Sequence, residues 1–417
     1  MDLDNIKEIY ASLMQNKLRT ALTVFGVSWG VFMLLIMLGS GKGLENGVTQ
    51  GFGDFATNSM FVWAKRTTIP YKGFSRGRSI NFKNRDVEAL KSSVPEIDII
   101  APKIQGYGEG GNNVIRGKET GAFSINGDYP EFNKIDPVQM LQGRFINKKD
   151  ITDLRKVCII GDRVYKILFK PDENAIGEYV KINGIYFKVV GVFKPKSKDM
   201  GDDKSEVVII PFTTLQKVYN YGDIIGYFAI TAKENIPVSV VEEKVKKRLA
   251  ELHSIHPDDK LALGGFNVEK QFKQMKGIFT GINLLVWIVG IGTLLAGVIG
   301  VSNIMLVIVK ERTKEIGIKR AIGASPTSVI MQIIYEAVII TVFSGLLGLT
   351  VGAWVVELVA YFVNNSGGET GMFSNPEIDF SVAIKAIIVL SISGIFAGFV
   401  PAKRAVSVKP IDALRDE

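Results

Sequence analysis

Two long apolar runs, 282–309 and 329–363, enclose one densely charged segment, and this arrangement constrains the chain more than any other feature. About 20 apolar residues, rising about 1.5 Å each, cross the hydrocarbon core of a bilayer. A charged block between two such runs must therefore emerge into water. The block reads Lys310-Glu311-Arg312-Thr313-Lys314-Glu315-Ile316-Gly317-Ile318-Lys319-Arg320-Ala321-Ile322-Gly323-Ala324. Its Lys/Arg excess assigns it to the cytoplasmic side. It is too short to be a domain, so it must act by touching something else.

The chain of 417 residues is 47% hydrophobic, which suits a few spans joined to a sizeable water-exposed domain. A formal charge of +8 raises the question of nucleic acid. The basic residues of the middle region are dispersed among acidic ones, and no zinc-finger or RNP-type motif accompanies them. A solvated basic surface with positive-inside loops accounts for the charge. Cys158 is the sole cysteine, which excludes an intrachain disulfide. His253 and His256, without a nearby Cys or third His, read as surface histidines rather than metal ligands. No Ser/His/Asp constellation is supported, so no catalytic residue, metal or cofactor is expected on this chain.

Residues 1–19 carry Leu3, Ile6, Tyr10, Leu13 and Leu18 at roughly helical spacing, with Lys7, Glu8, Lys17 and Arg19 on other faces. This predicts an amphipathic helix on the inner membrane surface. The first span, 20–40, exceeds the roughly 7–15 apolar residues of a signal-peptide core and lacks an Ala-x-Ala site, so it reads as an uncleaved anchor. Residues 41–277 contain no run long enough to span and alternate between short β-rich stretches and loops. The clearest hairpin is 179–193, turning at Asn183-Gly184, where both central residues must take positive φ. Strands are expected at 157–160 and 207–210, and helices at 86–90 and 238–252, the latter with Val241, Val245 and Leu249 on one face. The Gly/Lys/Arg-rich piece 65–78 reads as a mobile loop.

Further spans are expected at 278–309, 329–363 and 382–400, around a cytoplasmic loop 310–328 and a short outer loop 364–381. Val268, Phe272 and Met275 predict a stalk leading into the second span. The outer loop has Glu369, Glu377 and Asp379 but no Lys or Arg, whereas the tail 401–417 carries Lys403, Arg404, Lys409 and Arg415. The expected fold is a membrane protein with four transmembrane α-helices and a large α+β extracytoplasmic domain between the first and second. Both termini are then cytoplasmic.

Gly39-Ser40-Gly41-Lys42-Gly43 superficially resembles a phosphate loop but lacks its spacing, and reads as a flexible exit from the first span. Small residues four apart occur in every span: Gly26/Gly30, Gly292/Ala296/Gly300, Gly348/Gly352 and Gly394/Gly398. Such spacing lets helices approach closely, within the chain or between two copies, with Gly26, Gly30, Gly292, Ala296 and Gly300 as dimer candidates. Glu336 and Glu357 lie near opposite ends of the third span. Without an evident intramembrane cation they read as interfacial or interhelical hydrogen-bonding groups. Nothing in the chain has pocket-like chemistry.

Asn303, Met305, Leu306, Glu311-Arg312-Thr313, Glu315-Ile316-Gly317, Arg320-Ala321, Gly323-Ala324, Gln332, Glu336, Gly345 and Gly348 resemble the C-terminal signature of MacB/FtsX-type ABC transporter permeases. Pro401-Ala402-Lys403-Arg404-Ala405 and Pro410-Ile411-Asp412-Ala413-Leu414-Arg415 are similar to that family's closing motif. Gly127-Asp128-Tyr129-Pro130, Gly143-Arg144, Leu168-Phe169, Gly177 and Val189-Val190-Gly191-Val192 resemble its periplasmic core domain.

The resemblance implies a permease subunit that couples ATP hydrolysis on a partner ATPase, which would hold the ATP and Mg, to movement of a drug, peptide or lipid-linked molecule outside the membrane. Glu311, Arg312, Glu315, Gly317, Arg320 and Gly323 would form the ATPase-coupling element. Arg312, Glu315 and Arg320 would make its polar contacts, and Gly317 and Gly323 would shape its turns. A second permease copy, identical or related, is implied, and a membrane-fusion protein with an outer-membrane channel stays open as a wider assembly. MacB proper carries its ATPase fused; this chain looks more like the stand-alone permeases. The alternative is an FtsX-like transducer that regulates a cell-envelope hydrolase, against which the size of 41–277 argues.

Overall fold

Two apolar patterns divide the chain: unbroken runs that build long helices, and short alternating runs that build a sheet. The computed structural model describes residues 17–52, 55–106, 112–196, 204–365, 373–378 and 380–407. The amphipathic helix expected in 1–19 falls almost wholly outside the described residues, as do Glu369, Asp379 and the closing motif at 410–415. Residues Met1–Thr49 and Ile278–Glu417 form one compact unit and Gln50–Gly277 another.

In chain order, α1 (Lys17–Phe52) precedes β1 (Ser59–Ala64), β2 (Phe82–Lys83), α2 (Asn84–Ser93) and β3 (Ile97–Gly106). Next come β4 (Asn113–Arg116), β5 (Glu119–Ala122), β6 (Ser124–Asp128), α3 (Phe132–Ile135), β7 (Val138–Gly143) and α4 (Lys148–Thr152). Then follow β8 (Val157–Gly161), α5 (Asp162–Leu168), β9 (Tyr179–Ile182), β10 (Ile185–Pro195), β11 (Val207–Pro211) and α6 (Phe212–Val218). The sheet unit closes with β12 (Ile224–Ile225), β13 (Tyr227–Ala232), α7 (Val238–Leu252) and β14 (Leu263–Asn267). The remaining helices are α8 (Val268–Glu311), α9 (Thr313–Ala321), α10 (Pro326–Asn365) and α11 (Phe380–Ser407).

Among the described residues, four helices are long and apolar enough to cross a membrane, namely Thr20–Thr49, Val268–Glu311, Pro326–Val363 and Ser381–Ser407. Each overruns its expected span, and α8 takes in the predicted stalk from Val268 onward. The Gly39–Gly43 stretch is not a flexible exit but lies inside α1. Val27, Val31, Leu34 and Leu35 of α1 pack with Val301 and Met305 of α8, Ile333 and Ala337 of α10, and Leu390 and Ala397 of α11. The small residues make this packing close. A Cβ at Gly348 would drive into the Ser28 carbonyl, and one at Gly398 would lie 3.0 Å from the Ile334 Cα. The buried hydroxyls of Thr341 and Ser344 donate back to the Ala337 and Ile340 carbonyls at 2.7 and 2.6 Å, so neither is left unpaired.

Unit Gln50–Gly277 is built on a twelve-stranded mixed sheet in the order β14-β1-β13-β3-β6-β11-β8-β10-β9-β4-β5, with β7 added beside β10. Parallel pairs β6/β11 and β8/β10 lie among antiparallel neighbours. Strands β8 and β11 are buried along their whole length, which explains their unbroken apolar sequences. Phe187, Phe193, Phe212 and Phe228 are fully buried, each contributing about 1.5–3 kcal/mol. The expected strands and helices are present. The 179–193 hairpin turns with φ of 42° at Asn183 and 89° at Gly184, and α7 buries Val241, Val245 and Leu249.

Within this unit the expectations for 65–78 and for His253 are overturned. The 65–78 segment is pinned in place, because Asp259 accepts from the Thr68 amide (2.6 Å), the Thr68 hydroxyl (2.7 Å) and the Ile69 amide (3.0 Å). Arg78 also donates to the carbonyls of His253 and Ser254 at 2.6 and 3.1 Å. His253 is not a surface histidine: its Nε2 lies 2.7 Å from the buried Asp86 carboxylate, and its ring packs on Phe82.

Asp150 shows how this unit spends a buried charge. It closes a capping box with Asn147 at the start of α4 and accepts two bonds from Arg144, at 2.6 and 3.1 Å. Burial alone would raise its pKa, but the Arg144 bonds and the Asn147 amide outweigh that and hold the carboxyl below its usual range. Asp150→Ala should cost the unit about 2 kcal/mol at neutral pH, measured by thermal unfolding of the detergent-solubilised protein. A depressed folded pKa means that this stabilisation is whole above the ordinary Asp value of about 3.9 and fades as pH falls below it. Wild type and variant should converge in that acid window; equal stability at neutral pH would refute the assignment.

Candidate functional site

The charged segment between the second and third spans folds into a bracket rather than a loop. Helix α8 ends at Glu311, Arg312 steps out of helical geometry with φ −97° and ψ 13°, and α9 resumes at Thr313. Gly323 ends the bracket with φ +113°, a conformation that glycine adopts without a Cβ penalty. Pro326 then opens α10, and the Ser325 hydroxyl accepts from the Ser328 amide at 3.2 Å. Gly323 thus shapes a turn as expected. Gly317 does not, since it is buried in the middle of α9.

The arginines expected to face a partner are engaged within the chain. Arg312 donates from Nε to Glu315 at 3.1 Å and from Nη1 to Glu336 at 3.3 Å. The Arg312 side chain is 16% exposed and that of Glu336 is 6% exposed, so the cation that the sequence did not reveal for Glu336 is Arg312. This is the interhelical bond foreseen for Glu336, fixing the bracket to α10. Arg320 donates to the Val406 carbonyl at 2.8 Å, fixing the bracket to the last turn of α11. Exposed along the bracket are Glu311, Lys314, Glu315, Ile318, Lys319, Ala321 and Ile322. Ile322 is 83% exposed and Ile318 42%, one helical turn apart, which is a costly exposure for a bracket that touched only water.

Of the dimer candidates, Gly30 is taken up internally, its Cβ position lying 3.5 Å from the Thr293 carbonyl. Gly26, Gly292 and Gly300 have open space beside them, and Ala296 is exposed. Glu357 is exposed on α10.

The sheet unit holds a second feature that contradicts the expectation of no pocket-like chemistry. One face of the sheet lines a cavity of about 680 Å³. A cross-strand row supplies its floor: Trp63 on β1 stands opposite Gly264 on β14 and Tyr227 on β13, and Tyr227 stands opposite Lys103 on β3. The β3/β6 register, Ile104 with Gly127, brings Lys103 level with Asp128, and their charged groups are 3.3 Å apart. Gly264 is required there, because a Cβ would strike the Trp63 indole. Lys103 Nζ also lies 3.8 Å from the centre of the Phe132 ring, while Lys204 bonds Asp136 at 2.6 Å. Burial would lower the Lys103 pKa, but Asp128 and Asp136 outweigh it and keep the ammonium charged, while burial pushes the Tyr227 phenol up. Only the strand order brings these walls together.

Residues 20–248 match the MacB-like periplasmic core domain model and residues 287–410 the FtsX-like permease C-terminal model. The chain is 27% identical over 418 residues to the macrolide export ATP-binding/permease protein MacB of Shewanella sp. (strain W3-18-1), covering 100% of this chain and 61% of that protein. It is equally 27% identical over 418 residues to the pyoverdine export ATP-binding/permease protein PvdT of Pseudomonas putida, covering 100% and 60%. The chain thus spans about three fifths of the length of these relatives. The crystal structure of the periplasmic region of MacB from Actinobacillus actinomycetemcomitans aligns with a TM-score of 0.43 at 20% identity, covering 54% of this chain and 94% of that one. With a spanning-helix unit, a mixed-sheet unit after the first span, and both family models matched in that order, the chain belongs to the ABC transporter permeases that join a MacB-like periplasmic core domain to an FtsX-like permease domain.

Proposed function

We propose that this chain is the permease subunit of an ABC export system, docking through α9 on a separate ATPase subunit and working as one of two permease copies. Its large domain is extracytoplasmic and both termini are cytoplasmic. Movement of the ATPases reaches the outer domain through the helices, and the cargo is an organic molecule such as a drug, peptide or lipid-linked compound. The observation that carries this reading is the bracket itself. It is fastened to α10 by Arg312–Glu336 and to α11 by Arg320–Val406, yet turns Glu315, Ile318 and Ile322 outward. A groove that accepted that face would bury the two isoleucines, and force on the bracket would pass to two spanning helices without slack. The export names of the relatives support this reading over an envelope-hydrolase transducer. Gly26, Gly292, Ala296 and Gly300 leave room for the second copy, since small residues allow close helix contact in lipid.

The docking face is tested with Ile318→Asp/Ile322→Asp. Membrane insertion should be unchanged, while the ATPase subunit recovered with the tagged permease from native membranes should fall at least tenfold. Undiminished recovery would show that α9 is not the docking element.

The fastening is tested separately. Glu336→Leu leaves Arg312 without its buried partner and should destabilise the helical unit by about 3 kcal/mol, whereas Arg312→Met/Glu336→Leu should recover most of that loss. ATP turnover by the complex should stay uncoupled from export in the double variant, because the bracket is no longer fastened to α10. Full export by a stable double variant would remove the ion pair from the transmission path.

A further inference from the structure

The segment 65–78 presents one end of the sheet unit to solvent as a rigid basic hairpin. Met60 stands opposite Asn267 and Ala64 opposite Leu263, so one end of the β1/β14 pair adjoins the connections to α1 and α8 and the other points away from them. The hairpin leaves from that far end, where the Lys65 amide donates to the Ala262 carbonyl at 2.8 Å. At its tip, the amides of Tyr71 and Phe74 donate to each other's carbonyls at 3.1 and 3.0 Å. The two central residues have φ of 49° at Lys72 and 84° at Gly73, the positive pair that suits a two-residue hairpin turn. With Asp259 and Arg78 holding its flanks, the hairpin has little freedom left to lose on binding.

Its charge is one-sided. From Phe55 to Arg85 the chain has no Asp or Glu but carries seven Lys and Arg. Three of these are engaged: Arg78 meets the His253 and Ser254 carbonyls, Lys83 faces Asp223, and Arg85 lies 4.0 Å from Asp86. Lys65, Arg66, Lys72 and Arg76 are exposed and make no ion pair among the described residues. The nearby Asp259 is taken up by Thr68 and Ile69, and Asp258 lies beside His256. Four uncompensated cations on one ordered hairpin call for an anionic partner.

Apolar surface shows what kind of anion. Phe74 is 46% exposed, with the Arg78 guanidinium 4.1 Å from its ring centre, and Leu261 at the base of the hairpin is 67% exposed. A braced aromatic ring among arginines has the make-up of a protein-docking anchor. A saccharide would find one face of Phe74 occupied by Arg78 and would gain no stacking from Leu261. The end of the unit remote from the spanning-helix connections is also a poor place to meet lipid.

We propose that the 65–78 hairpin docks a second, extracytoplasmic protein through an acidic surface that takes Phe74 into an apolar depression and pairs with the free cations. The proposal goes beyond the export reading and uses only the extracytoplasmic position of the sheet unit.

The test places the photo-cross-linker p-benzoylphenylalanine at position 74 of the full chain in its native membrane. Irradiation of intact cells should give one discrete adduct with another protein, and mass spectrometry of the joined peptide should find Asp and Glu in excess of Lys and Arg around it. Adding Arg66→Glu/Arg76→Glu should reduce the adduct at least tenfold. The protein so identified, once purified, should bind the full chain in lipid nanodiscs, at least tenfold more weakly in about 300 mM than in about 50 mM salt. Phe74→Ser should weaken that binding at least tenfold. Ile318→Asp/Ile322→Asp should leave it unchanged, so that failure of ATPase docking and failure of the outer site are told apart. Absence of an adduct would overturn the proposal, as would an adduct with lipid, glycan or a second copy of this chain, or a joined surface without acidic excess. Full binding by the folded Arg66→Glu/Arg76→Glu and Phe74→Ser variants would overturn it too.

Discussion

A charge inside the bilayer core costs a few kcal/mol, and the helical unit is arranged around that cost. The first three apolar runs are free of Lys and Arg, Lys385 enters the fourth near its start, and the densest cationic segment lies in the turn between α8 and α10. Where a carboxylate does enter a spanning helix near that turn, at Glu336, Arg312 folds back to meet it. The same contact decides what the segment can be. With Arg312 held by α10 and Arg320 by α11, the charged stretch is a fastened helix, and only its far face is left to meet another molecule.

The sheet unit obeys the opposite rule, admitting charge to its interior and paying in satisfied bonds. Asp150 shows this done completely, with the cap, Arg144 and Arg155 all converging on one carboxylate. Asp86 is similarly spent on the α2 cap and His253. Asp128 is served less completely: Lys103, which also faces the Phe132 ring, lies 3.3 Å away, and its oxygens, like Oδ1 of Asp86 and of Asp162, accept no hydrogen bond among the described residues.

How much of this was legible depended on the range of the interaction concerned. Asn183-Gly184 betrayed its hairpin because the turn is a local demand for positive φ, and Val241, Val245 and Leu249 betrayed α7 because helical spacing is local too. The spans were legible by length alone. The bracket was only half legible: Gly323 looked like a turn and is one, whereas Gly317 looked like one and is buried in α9. Arg312 and Glu336 are 24 positions apart, and no periodicity announces that they meet. The cavity was not legible at all. Trp63, Lys103 and Tyr227 lie on strands that the sequence did not announce, Asp128 stood out only within a family motif, and only the order β1-β13-β3-β6 sets them in a row.

Helix α8 joins these two regimes in the covalent chain. It starts at Val268, immediately after β14, with the Asn267 side chain accepting from the Lys270 amide at 2.9 Å, and it ends at Glu311, one residue before Arg312. No loop intervenes between the strand that carries Gly264 and Phe266 and the residue that fastens the bracket. A flexible linker at either end would dissipate displacement as local disorder, since ordering each loose residue costs about 1–2 kcal/mol. A continuous helix has no such reservoir. In the proposed mechanism α8 is the segment along which a shift of the bracket would travel toward β14.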